Sequence, residues 1–197
     1  MALRAKKYFQ DFETETCLED GRPVRRTVYK GDLYRRELSA AARTKERMLY
    51  IPAALLSGLL LLAAMTRETP ANVDGLCAAF SLLAMIPAFC TLEGAVEAFF
   101  RRGDLRKNDY QERLLMLRVM PVAGAALNAL IAALYLAHGA QQAAYRGADW
   151  PAAGCTALAA ALHAAIALRE IRVKYRVIPS ERSRGAAPAR RETSNEE

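Results

Sequence analysis

The sequence predicts an all-α transmembrane bundle of four helices with a small cytoplasmic β-sheet, formed by an N-terminal hairpin and a C-terminal strand. Three observations predict it. Four long apolar runs divide the chain. Basic and nearly uncharged segments alternate between those runs. Two stretches follow period two instead of 3.6, one around Asp20-Gly21 and one after the last run.

The hairpin comes first. Asp11 to Leu18 and Val24 to Tyr29 flank Glu19-Asp20-Gly21-Arg22-Pro23. Asp-Gly between extended runs is a strong signal for a two-residue turn. With Asp20 and Gly21 in the loop, Asp11 faces Lys30, Glu15 faces Arg26 and Glu19 faces Arg22 on one side. Phe12 faces Tyr29, Thr14 faces Thr27 and Leu18 faces Pro23 on the other. Three opposite-charge pairs support this register, each contributing about 0.2–1 kcal/mol. A slip by one residue would mix the two faces. Pro23 falls at a non-hydrogen-bonded pair, where its missing N–H costs least.

Asp32 to Leu49 then reads as a basic juxtamembrane helix. Tyr34, Leu38, Ala41, Ala42 and Leu49 recur at helical spacing, and Arg35, Arg36, Arg43, Lys45 and Arg47 surround them as lipid-facing basic residues. Residues 1–48 thus form a cytoplasmic segment of hairpin and helix.

The transmembrane domain covers 49–168, with spans at about 49–65, 75–100, 114–137 and 151–168. A bilayer core of about 30 Å needs about 20 helical residues. Buried helices of a soluble bundle would carry a polar stripe every three or four residues. Ala53 to Met65 and Val119 to Ala137 carry almost none. The first apolar run starts after residue 48, so the expectation is an uncleaved anchor and no cleavable signal.

Charge sets the expected orientation. Lys and Arg number 12 in residues 1–48, five in 101–113 and eight from Arg169 onward. The two other connections hold only Arg67 and Arg146. Basic segments are retained in the cytoplasm, so both termini and the middle loop are expected there, in a membrane of the bacterial cytoplasmic type. Trp150 and Tyr145 suit the outer boundary and Tyr50 the inner one as interfacial aromatics. The net charge of +7 then reads as attraction to anionic membrane lipids. A nucleic-acid surface would need a basic face on a folded module with stacking aromatics, and none is evident.

After the last span, Ile171, Val173, Tyr175 and Val177 alternate with Arg172, Lys174 and Arg176. Residues 169–179 are therefore read as a strand, with continuation of the span-4 helix as the alternative. Charge favours pairing of this basic strand with acidic Asp11 to Leu18, which makes the N-terminal strand central. The tail 180–197, without large apolar residues, is read as disordered.

Ionisable residues in membrane helices are functional candidates because each is costly there. Glu93 and Glu97, four apart, share a helix face near the inner boundary, and Arg118, inside the third run, also lies at that boundary. His163 lies less than two turns from Arg169. Together Glu93, Glu97, Arg118 and His163 form either a structural ion pair with neighbours or a cytoplasm-facing pocket for a proton or cation. Small residues at four-residue spacing permit close helix contact: Ala54 with Gly58; Gly124 with Asn128 and Ala132; Gly154, Ala157, Ala161 and Ala165.

No catalytic triad, metal motif or phosphate loop stands out, so no catalytic residue, metal or cofactor is assigned. Cys17, Cys77, Cys90 and Cys155 are too scattered for a disulfide framework. Cys77 and Cys155 lie close enough in depth to pair, against the alternative of buried thiols. The expected function is a small non-enzymatic accessory, assembly or regulatory component at the cytoplasmic face. Its partners are anionic lipids and another membrane protein or a second copy of itself. The alternative is a small transporter or channel subunit.

Overall fold

The computed structural model describes residues 11–19, 22–100, 103–141 and 146–179. The Asp20-Gly21 turn, Tyr145 and the tail from Ser180 lie outside the described residues. The chain divides into two units. Of the described residues, a helical unit holds those within 37–102 and 111–174, and a sheet unit holds those up to 36, 103–110 and from 175.

The helical unit is built from α1 (Ala40–Met65), the short α2 (Pro70–Val73), α3 (Gly75–Phe100), the end of α4 (Lys107–Leu114), α5 (Met120–Gln141) and α6 (Arg146–Arg172). Among the described residues, four helical stretches are long and apolar enough to cross a membrane. They fall where the four apolar runs predict them.

Local chemistry sets the helix ends. Ser39 caps α1, its Oγ accepting from the Ala42 N–H. Thr69 caps α2 in the same way, with Pro70 at the first helical position. The Asn72 amide donates to the Ala64 and Arg67 carbonyls, which satisfies groups left over at the end of α1. Asp74 starts α3 by accepting from the Leu76 N–H and also bonds His138 of α5. Between α4 and α5 the helix widens into one π turn, Leu115–Val119. Pro121 follows two residues after it. In a regular helix its ring would collide with the Leu117 carbonyl four residues back, and the wider turn removes that collision.

Around a few large side chains such as Leu61, Ile131 and Tyr135, much of the interior is made of small residues at alternating spacings of three and four. On α3 they are Cys77, Ser81, Ala84, Ala88, Thr91, Ala95 and Ala98. Large apolar side chains of α3 face outward instead: Leu82, Ile86 and Phe89 are more than half exposed. Of the small-residue stripes read in the sequence, Gly124, Asn128 and Ala132 are buried, but Gly154, Ala157, Ala161 and Ala165 face outward. Alanine is so frequent in α6 that several phases carry small residues. The buried phase is Ala152, Thr156, Ala159, His163 and Ile166. Cys77, Cys90 and Cys155 are free thiols.

In the sheet unit, β1 (Phe12–Glu19) and β2 (Arg22–Tyr29) form an antiparallel pair in the expected register, from Phe12↔Tyr29 to Glu19↔Arg22. The Lys30 N–H donates to the Asp11 carbonyl at 2.7 Å. Alternation along the ladder then makes Leu18↔Pro23 a non-hydrogen-bonded pair. Phe12 and Tyr29 meet edge to face, and Lys30 reaches Glu13 at 3.1 Å.

A second sheet corrects the expected topology. β3 (Leu33–Arg36) is its central strand, with β4 (Leu105–Arg106) on one side and β5 (Tyr175–Ile178) on the other. The C-terminal strand therefore pairs with residues 33–36 and not with β1, and the N-terminal hairpin forms a sheet of its own. The strand is also shorter than the sequence suggested, because α6 continues as a helix to Arg172. Arg35 and Arg36 lie on a strand, not on a juxtamembrane helix. The like-charge argument failed because each arginine finds a partner. Arg35 stands opposite Arg176, but its guanidinium grips Asp104 through two bonds of 2.7 and 2.8 Å. Arg36 lies over the Tyr175 ring. Tyr110 stacks on Tyr34 and meets Tyr175 edge-on, tying β3 to β5.

Candidate functional site

Three stripes of the helical unit end in charge. On α1 the buried phase Leu61, Ser57, Ala54 and Tyr50 continues to Glu46. On α6, Ala159, His163 and Ile166 lead to Glu170. From α5 back through the π turn, Gly124, Pro121 and Leu117 lead to Arg113. Glu46 and Arg113 are nearly buried and Glu170 completely so. The sequence reading passed over all three.

These groups tie helix ends together. The Tyr50 hydroxyl donates to Glu170 Oε2 at 3.1 Å. Arg169 Nε lies 3.5 Å from Glu46 Oε1. Arg118 Nη2 donates to the Val173 carbonyl at 2.8 Å, just past the end of α6. A cation on a helix C-terminus satisfies a leftover carbonyl and opposes the helix dipole. Tyr50, expected at the membrane boundary, is instead 1% exposed and serves as a donor inside the bundle.

The sequence-nominated residues are distributed as follows. Glu93 is exposed, because the buried phase of α3 runs through Thr91, Ala95 and Ala98. Glu97 and Arg118 are half-buried. Gly94 packs on the π turn at Met116 and Leu117, which brings α3 to the level of Arg118. His163 is fully buried, its Nδ1 donating to the Ala159 carbonyl at 3.0 Å, and its ring lies against Gly124. Among the described residues, His163 Nε2 and Asn128 Oδ1 have no hydrogen-bond partner. Of the juxtamembrane basic residues, Arg43, Lys45 and Arg47 lie on α1, and Lys45 is exposed.

At the opposite end of the bundle, the Tyr135 hydroxyl bonds Asn72 and the Ala64 carbonyl. Asp149 is completely buried beside Gly139. Among the described residues, no group of three or more His, Cys, Asp and Glu is placed to hold a metal ion.

An open groove of about 620 Å³ lies between the start of α1 and the end of α6. Leu49, Ala165 and Leu168 form its apolar part. Glu46 and Arg169 lie in it as a pair, and Glu37, Arg172 and Lys174 complete the polar part. The Glu37 N–H donates to the Lys174 carbonyl at 3.0 Å and closes one end.

The chain matches no protein-family model, no curated protein and no solved structure. The ground for a functional reading is therefore the arrangement of its own residues.

Proposed function

We propose that the chain is a four-span integral membrane protein of a bacterial cytoplasmic membrane, with both termini in the cytoplasm. It acts there as a non-enzymatic accessory, assembly or regulatory component. Its partners are anionic lipids and another membrane protein or a second copy of itself.

The observation that carries this reading is the skew in side-chain size: small residues make up most of the interior, beside a few large ones such as Leu61, Ile131 and Tyr135, while most Leu and Ile side chains face outward. In water that surface would be a large aggregation liability. In lipid it costs nothing, and close packing of small residues is what holds helices together. The charged groups at the helix ends support a scaffold. Arg118 is engaged with a helix-end carbonyl, Glu170 with Tyr50 and Glu46 with Arg169.

The transporter reading draws on a different observation, the buried His163 Nε2 and Asn128 Oδ1 without partners among the described residues. Reconstitution in sealed vesicles separates the two. The accessory reading expects proton and cation flux no greater than that of empty vesicles. Flux that disappears in His163→Ala and Asn128→Leu would replace it with the transporter reading.

A further inference from the structure

We propose that the groove between the start of α1 and the end of α6 binds one anionic phospholipid, with its phosphate on Arg172 and Lys174 and an acyl chain along the outer face of α6. This rests on the membrane reading above and names one lipid site within it.

The charge balance points to an anion. The Glu46 carboxylate in the groove is matched by Arg169 at 3.5 Å. The negative end of α6 is matched by Arg118 on the Val173 carbonyl. That leaves Arg172 and Lys174, both exposed, with no ion-pair partner among the described residues, against the single carboxylate of Glu37. Two cations at a rim recognise a phosphate oxygen pair through charge-assisted hydrogen bonds. Their long apolar stems can lie along the groove while the heads reach the phosphate.

The apolar part supplies the rest of the ligand. Ala165 and Leu168 line the groove together with these charges, two turns and one turn before Arg172 on α6. Ala165 also begins the outward-facing stripe of Ala161, Ala157 and Gly154. An added Cβ at Gly154 meets nothing within 4 Å. At about 1.5 Å per residue this shallow track runs about 16 Å along the helix, comparable to most of an acyl chain. The stripe would be wasted as helix packing, since its own bundle packs on the other face. A free phosphate would use the rim and ignore the track.

Native mass spectrometry of the full chain from micelles with equal dioleoylphosphatidylglycerol and dioleoylphosphatidylcholine tests this. The expected result is one retained phosphatidylglycerol per chain, about tenfold favoured over phosphatidylcholine. Arg172→Gln with Lys174→Gln should lower that retention about tenfold, while Arg67→Gln, past the far end of α1, leaves it unchanged. Glu37→Gln should raise it severalfold, an effect that misfolding would not produce. Ala161→Phe should lower retention of the lipid by blocking the track. Equal retention of both lipids, an undiminished double variant, or displacement by 10-fold excess inorganic phosphate would overturn the proposal. Release of the wild-type chain from membranes by alkaline carbonate would overturn the membrane reading itself. An inserted chain without lipid preference overturns only the groove.

Discussion

Gly124 is the position where one added carbon should be felt most clearly. A Cβ there would lie 2.6 Å from His163 Cδ2 and 2.8 Å from Nε2. Ordinary carbon contacts lie at about 3.5–4.0 Å. The ring is fully buried and held to the Ala159 carbonyl through Nδ1. It is a rigid plane, not the end of a flexible chain. Either α5 and α6 part by about 1 Å or the ring gives up its hydrogen bond. Overpacking of this kind costs about 1–3 kcal/mol. Replacing glycine by alanine inside a helix returns about 0.5–1 kcal/mol. Gly124→Ala should therefore be destabilised by a net of about 1–2 kcal/mol.

Two other glycines isolate the terms. A Cβ at Gly58 or Gly154 meets nothing within 4 Å. Gly58→Ala and Gly154→Ala should carry only the helix term and gain up to about 1 kcal/mol. Combining Gly124→Ala with His163→Ala should remove the clash and keep the helix gain, a coupling equal to the overpacking term of about 1–3 kcal/mol. Reversible unfolding in mixed micelles, followed by helical circular dichroism, measures the five variants, His163→Ala included, against the wild type. A Gly124→Ala chain as stable as Gly58→Ala, or strictly additive effects with His163→Ala, would refute the reasoning.

Tyr50→Phe removes the hydroxyl that donates to the buried Glu170 carboxylate, and should cost about 1–3 kcal/mol in the same unfolding assay. The Asp104 carboxyl is held below its ordinary value by the hydrogen bonds and charge of Arg35. A depressed folded value gives stability that is present above the ordinary carboxylate range and lost as pH falls through the depressed value. The protection of the Leu33–Arg36 amides, taken relative to the intrinsic exchange rate at each pH, should therefore fall on acidification below about pH 4, and the Asp104 carboxyl resonance of Arg35→Gln should titrate at an ordinary value. Alkaline phosphatase fused at Glu68 should be active and at Lys107 inactive; the opposite pattern would reverse the proposed orientation.

Much of the fold was legible because it rests on local signals. The apolar runs mark the helices, and Asp20-Gly21 with its flanking charges fixes the β1–β2 register down to Glu19↔Arg22. The second sheet was hidden because it joins three short pieces far apart in sequence, 33–36, 105–106 and 175–178. Leu33–Arg36 carries helical spacing as readily as strand alternation over so few residues. Its choice is made by partners, Asp104 for Arg35 and Tyr175 for Arg36. A pairing rule based on summed strand charge cannot see an aspartate outside the strand that serves one arginine.

The buried charges at the helix ends escaped notice for a different reason. Cost alone drew notice to the charges nearest the spans, and cost does not say which way a residue faces. Phase does. Glu46 continues the buried line of Tyr50, Ala54 and Ser57, and Glu170 continues that of His163 and Ile166. Glu93 stands off the line of Thr91 and Ala95 and is exposed. Had each stripe been followed past the last apolar residue, the sequence would have named Glu46, Arg113 and Glu170 directly. The same test explains the alanine stripe of α6. Small residues at 154, 157, 161 and 165 looked like a packing face, but only one phase can face the bundle, and His163 occupies it. In a helix rich in alanine, the few residues that are not small reveal the orientation. The stripe at 154, 157, 161 and 165 is what that orientation leaves on the outside.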